Sequence, residues 1–214
     1  MKRVMFLVDG FNLYHPVVDA QHDNGGQCVK WLDLRRLCSN YLHMIGTRVR
    51  DQVTLREIHH FSATPTHRSK GKQDRHQLYM ECLKSSGIHV YLGRFKKKIV
   101  KCSLCNEYEV RHEEKESDVA MAAKLLELCY SGVADSIVLV TGDTDLAPAV
   151  RTCQRLFPCI SICFAFPYRR ASEELERLSP GSFKISHKSY RGNQYTDPLE
   201  FPDGTKVTKP AEWS

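Results

Sequence analysis

Two hydrophobic periods alternate along the chain. Val4 to Val8 (VMFLV) and Ile137 to Val140 (IVLV) are unbroken apolar runs, the pattern of parallel strands buried on both faces. Leu55 to Ala63, Ile88 to Leu92, Cys159 to Ala165 and Phe183 to Ser186 read as further strands. Between them apolar residues recur at helical spacing. Leu34, Leu37, Cys38, Tyr41, Leu42 and Ile45 predict one amphipathic helix with Asp33 at its N-terminus. Asp74 to Ser85 predicts a second, stopped by Gly87. Val119, Ala122, Ala123, Leu126 and Tyr130 mark the inward stripe of a third that starts near Ser117. A helix with Leu146, Ala149, Val150, Cys153 and Phe157 inward follows, and a short one covers Ala171 to Leu178. Strands alternating with helices predict an α/β fold, a Rossmann-like three-layer α/β/α sandwich with a mostly parallel sheet and right-handed crossovers.

Three stretches break the alternation. His15 to Val29 is polar, contains Asn24, Gly25 and Gly26, and reads as a long loop placed to close over a site. Residues 93–112 form short alternating runs around CSLC, predicting a β-hairpin insertion that projects from the sheet. Residues 187–214 lack core periodicity and carry Pro198, Pro202 and Pro210, so a tail packed on the surface or partly disordered is expected after a single domain over residues 1–186.

At 214 residues, 42% hydrophobic and 26% charged, the chain has the make-up of an ordinary globular protein long enough to bury a core. No apolar run approaches the roughly 18 residues that span a bilayer, and MKRVMFLVDGFN reads as a first strand rather than a signal peptide. A cytoplasmic protein without membrane contact is expected. Nine cysteines then imply reduced thiols. The formal charge of +6 is modest, but basic residues gather at His67 to His76 (HRSKGKQDRH), at Arg94 to Lys101 and at Tyr168 to Arg170. Such clusters suit a polyanion held by its phosphates.

The chemistry concentrates at two strand ends. Asp9 and Asn12 follow the first apolar run, and Thr141, Asp143 and Asp145 follow the central one. If these strands are parallel neighbours, the residues meet at one sheet edge, where ligands of α/β folds bind. Acids crowded there repel one another, and a divalent cation with hard oxygen ligands, Mg²⁺ or Mn²⁺, compensates them. Taken singly, Asp9 and Asp145 also fit turn or N-cap roles. Cys102 and Cys105 have the spacing of half a zinc site with His112 as the nearest third ligand; a reduced thiol pair at a hairpin tip is the other reading.

VDGFNLYH, EKESDVAMA and VTGDTDLAPAV resemble the three signatures of the NYN domain, a branch of the PIN-like nuclease superfamily. Pro167 to Glu174 and DGTKVTKPAEW resemble later segments of the family, so the likeness spans nearly the whole chain. It implies a Mg²⁺- or Mn²⁺-dependent ribonuclease in which Asp9, Asp118, Asp143 and Asp145 form the acidic cluster and Asn12 and Thr141 position phosphate or water. On this reading Asp9, Asp118 and Asp143 hold the metal. Lys115 is a candidate phosphate contact, with a surface ion pair as its alternative. The rival reading is a nucleic-acid-binding adaptor that keeps the pocket without useful turnover. RNA is the expected partner, with a protein partner or a second copy of the chain left open. A dinucleotide enzyme is disfavoured because Asp9, Gly10 and Phe11 stand where G-x-G-x-x-G would begin. A phosphatase with an aspartyl nucleophile is disfavoured because no second acid follows Asp9 by two residues.

Overall fold

The computed structural model describes residues 1–23, 25–101 and 107–213. Its centre is β1 (Lys2–Asp9), whose side chains alternate between two apolar layers. Val4, Phe6 and Val8 enter one layer, and Met5 and Leu7 enter the other. From β1 the chain runs through α1 (Gly10–Asp23), α2 (Leu34–Asn40) and α3 (Leu42–Val49) to β2 (Val53–Thr64), then through α4 (Lys70–Ser85) to β3 (His89–Lys101). β4 (Tyr108–Lys115) returns antiparallel to β3. Next, α5 (Ser117–Ser131) crosses to β5 (Ser136–Val140) on the other side of β1, and α6 (Ala147–Leu156) leads to β6 (Ser161–Phe166). α7 (Glu173–Leu178) leads to β7 (Phe183–Lys184). The sheet order is β4-β3-β2-β1-β5-β6-β7, parallel except at β4. Helices α1 to α4 supply the residues packed on one face and α5 to α7 those on the other, giving the expected three layers.

The strand order reverses between β1 and β5, so loops leaving their carboxyl ends diverge and open a crevice. Residues 9–12 and 141–145 stand at its lip.

Several local expectations are corrected. His15 to Val29 is not one long loop: α1 begins immediately after β1 and continues to Asp23, burying Leu13, Pro16, Val17 and Ala20 at helical spacing. The helix expected over Leu34 to Ile45 is two helices meeting at Tyr41. There the Tyr41 ring stacks on Phe183, with centroids 5.2 Å apart, and its hydroxyl bonds Ser189 Oγ at 2.7 Å. α4 starts at Lys70 rather than Asp74. In α5 the buried stripe is Met121, Leu125, Leu128 and Cys129, whereas Val119, Leu126 and Tyr130 are exposed.

The last residues dock against the domain. α8 (His187–Gly192) buries Tyr190 completely beside α1. Beyond it, β8 (Leu199–Glu200) and β9 (Lys206–Val207) form an antiparallel pair. Tyr195 and Trp213 close over Trp31, with ring centroids 5.7 and 6.2 Å from it. Isolated aromatic anchors, rather than a periodic stripe, hold this segment.

Candidate active site

Asp9 is the next position after Met5 and Leu7 on the same side of β1, so it points toward α5. Thr141 continues Ile137 and Leu139 of β5 in the same phase. The two side chains therefore meet, and Thr141 Oγ1 donates to Asp9 Oδ2 at 3.1 Å. The other carboxylate oxygen, Asp9 Oδ1, accepts the amides of Phe11 at 3.1 Å and Asn12 at 2.9 Å. These are the second and third residues of α1, which makes Asp9 the cap of that helix as well as a member of the site.

The second loop is locked by the same kind of bond. Thr141 Oγ1 accepts the Asp143 amide at 3.1 Å, Asp143 Oδ1 accepts the Asp145 amide at 3.0 Å, and Asn12 Oδ1 accepts the Gly142 amide at 2.9 Å. Two glycines are required by close approach. A Cβ on Gly10 would lie 2.7 Å from the Phe61 carbonyl, and one on Gly142 would lie 1.9 Å from the Arg170 carbonyl.

The third acid comes from Asp118 in the first turn of α5. Carboxylate oxygens of Asp9, Asp118 and Asp143 all lie within 4.8 Å of one another, and they are the one such group among the described residues. At an effective dielectric constant of ~20, each ionised pair at that separation repels by about 3 kcal/mol. Burial pushes the Asp9 carboxyl up to about 6; the bonds from Asn12 and Thr141 oppose this, and the charges of Asp118 and Asp143 add to it. Burial raises Asp118 too, reinforced by Asp143 and Asp145. Such a cluster is short of positive charge.

The model of the NYN domain matches residues 3–186. This chain belongs to the NYN domain family. NYN domains are PIN-like nucleases, and the family implies a nucleic-acid substrate. A crystal structure of a Vibrio parahaemolyticus protein described as of unknown function is similar, with a TM-score of 0.53 and 17% identity over 86% of this chain and 93% of that one. At that identity the likeness concerns the fold alone. No curated protein matches the chain.

Within this NYN domain, Asp9, Asp118 and Asp143 come together, with Thr141 and Asn12 bonded into the same network. Asp145 is exposed at the rim, joined through its amide. Lys115 is turned to Glu113, 3.1 Å away, on the strand face opposite Glu114. His112 stacks on His67 with centroids 4.4 Å apart. Cys102 and Cys105 lie outside the described residues, as does the hairpin tip expected around them. No helix among the described residues is long and apolar enough to cross a membrane.

Glu114 was not among the residues expected here. Burial raises its carboxyl to about 7, opposed by the hydroxyl of Ser117, which it accepts, and reinforced by the charges of Asp9 and Asp118. Its signal in the sequence was its place four residues before Asp118 at the end of an alternating strand, where inward and outward acids look alike.

Proposed function

We propose that this NYN domain is a metal-dependent ribonuclease that hydrolyses RNA phosphodiester bonds at an acidic Mg²⁺ or Mn²⁺ site. The observation that carries the reading is the carboxylate trio, Asp9, Asp118 and Asp143, gathered within 4.8 Å at the switch point of the sheet. The donor set fits the metals named: all the ligand atoms are hard oxygens, and the mutual repulsion of the acids is relieved by a dication. No cation faces them from the EKESD segment, since Lys115 is paired with Glu113 and Arg94 pairs with Glu116 at 2.8 Å. A dication held there supplies Lewis acidity, activating water and offsetting charge that builds on the phosphoryl oxygens.

The protein's own part is to fix the oxygens. Thr141 holds Asp9 on one side and the Asp143 amide on the other, so neither acid must reorganise when substrate arrives. Asn12 spends its carbonyl oxygen on the Gly142 amide, which leaves its side-chain N–H groups to donate toward phosphate or water. Asp145, exposed at the rim, completes the cluster as an outer-shell ligand or as the group that orients the attacking water.

Calorimetric titration of Mn²⁺ tests the site directly. Saturable binding that Asp143→Asn weakens at least tenfold is expected. Equal Mn²⁺ affinity in the wild type and the variant would contradict the assignment.

A further inference from the structure

Beside the acids runs a groove of about 540 Å³ with the opposite chemistry. It starts at Gly10 and Phe11, directly after Asp9, and reaches Trp213 at its far end. Among the described residues no carboxylate lines it, while Lys30, Arg68, Lys72, Arg75 and five histidines do. Arg75 is engaged by Glu212. Among the described residues Lys30, Arg68 and Lys72 enter no salt bridge, and Arg68 and Lys72 are exposed.

One wall is a run of rings. Phe11 meets Phe95 edge-on at 5.5 Å, Phe95 meets His67 at 4.5 Å, and His67 lies flat on His112 at 4.4 Å with planes 10° apart. The Phe11 amide is bonded to Asp9 Oδ1, so this wall is anchored to the acid cluster itself. The groove also carries polar atoms without partners among the described residues: His60, 4% exposed, has a buried Nδ1 that none of them bonds, and so does His67. Burial lowers His60 to about 3, with the charge of His76 adding to the effect, and burial also lowers His76. Near neutral pH His60 and His76 are therefore uncharged hydrogen-bonding edges, Phe11, Phe95 and His67 form the wall of rings, and the lysines and arginines carry the positive charge.

This combination selects among ligands. Among the described residues no trio of metal ligands comes together in the groove. Cations beside flat rings match a nucleotide, phosphate to the former and base to the latter, and the volume is that of a small-ligand pocket. We propose that this groove holds an unpaired nucleotide of the substrate strand next to the cut, its base against the Phe11, Phe95 and His67 wall and its phosphate on Arg68 and Lys72. The proposal rests on the nuclease reading, which places the cut at the acids. A base engaged in a duplex is not free to enter, so the domain discriminates against paired RNA.

The test is fluorescence anisotropy of a labelled mixed-sequence oligoribonucleotide and its blunt duplex, in EDTA so that nothing is cut. The full chain is compared with Arg68→Glu, Lys72→Glu and Phe95→Ala. The single strand is expected to bind in preference to the duplex. Arg68→Glu and Lys72→Glu each weaken it about tenfold and flatten its salt dependence by about one charge. Phe95→Ala weakens it by about tenfold with the salt slope kept. Because Arg68 and Lys72 are exposed, their variants remain decisive even if Phe95→Ala fails to fold. Equal affinity for duplex and single strand, or unchanged affinity in both charge variants, overturns the proposal. A parallel Mn²⁺ cleavage assay separates it from its parent reading. Cleavage with unaltered binding in the charge variants removes the groove alone. Weakened binding in those variants with a wild type that never cuts keeps the groove and removes the nuclease.

Discussion

Thr141 Oγ1 bridges Asp9 Oδ2 and the Asp143 amide, each at 3.1 Å, across the point where the sheet changes direction. Thr141 is fully buried and its bond to Asp9 lies in the interior, so water is a poor substitute for it there. Thr141→Val keeps the shape and removes both bonds, and it is expected to cost about 1–3 kcal/mol. Thr141→Ser should recover most of that loss, apart from the missing methyl. Urea unfolding of the three proteins reads the difference; a valine variant as stable as wild type would show that the bridge is not holding the loops.

The raised Asp9 carboxyl makes a sign-definite pH prediction for metal-free protein. Its folded value, about 6, exceeds the ordinary 3.8, so the folded state binds this proton more tightly than the unfolded state. Its contribution is full below pH 4 and lost as pH rises through 6, in total about 3 kcal/mol. Glu114, raised to about 7, acts in the same direction over a slightly higher window. In EDTA, Asp9→Asn should therefore be close to wild type in stability at pH 4 and gain on it between pH 5 and 8. Thermal unfolding of both proteins across this range measures it. Excess Mn²⁺ should stabilise wild type most at the upper end, where the acids are ionised and mutually repelled. A constant difference between the proteins over the range would refute the burial argument.

Glu114 adds negative charge to Asp9 and Asp118, although it lies outside the trio. Because Glu114 titrates at about 7, above Asp9, it is neutral at pH 5.5 and charged at pH 8, so Glu114→Gln should leave Mn²⁺ binding unchanged at pH 5.5 and weaken it several-fold near pH 8. Titrations at the two pH values check the difference. A uniform loss at both pH values would instead mean that Glu114 is a ligand or a fold determinant.

The core strands were legible because Val4 to Val8 and Ile137 to Val140 are buried on both faces and so contain no polar interruption. Asp9 and Asp143 were legible because polar residues abruptly end those runs. The capping alternative for Asp9 did not compete with the site: one oxygen caps α1 and the other meets Thr141. α1 was misread because Pro16 and polar residues obscured the spacing of Leu13, Pro16, Val17 and Ala20, which becomes meaningful only against β1 and α8. In α5 both stripes are apolar, and periodicity cannot tell which one the sheet covers; the choice fell to Met121, Leu125 and Leu128. Tyr190 and Tyr195 could not be recognised as core residues because each is anchored singly, without neighbours in a repeating pattern.

The most direct measurement of the central claim is cleavage of labelled single-stranded and structured RNAs by the purified protein with Mn²⁺ or Mg²⁺, beside Asp143→Asn and an EDTA control. Cutting that requires the metal and falls at least a hundredfold in the variant is the predicted result. RNA binding without cutting, or cutting that survives in Asp143→Asn, would contradict a ribonuclease centred on Asp9, Asp118 and Asp143.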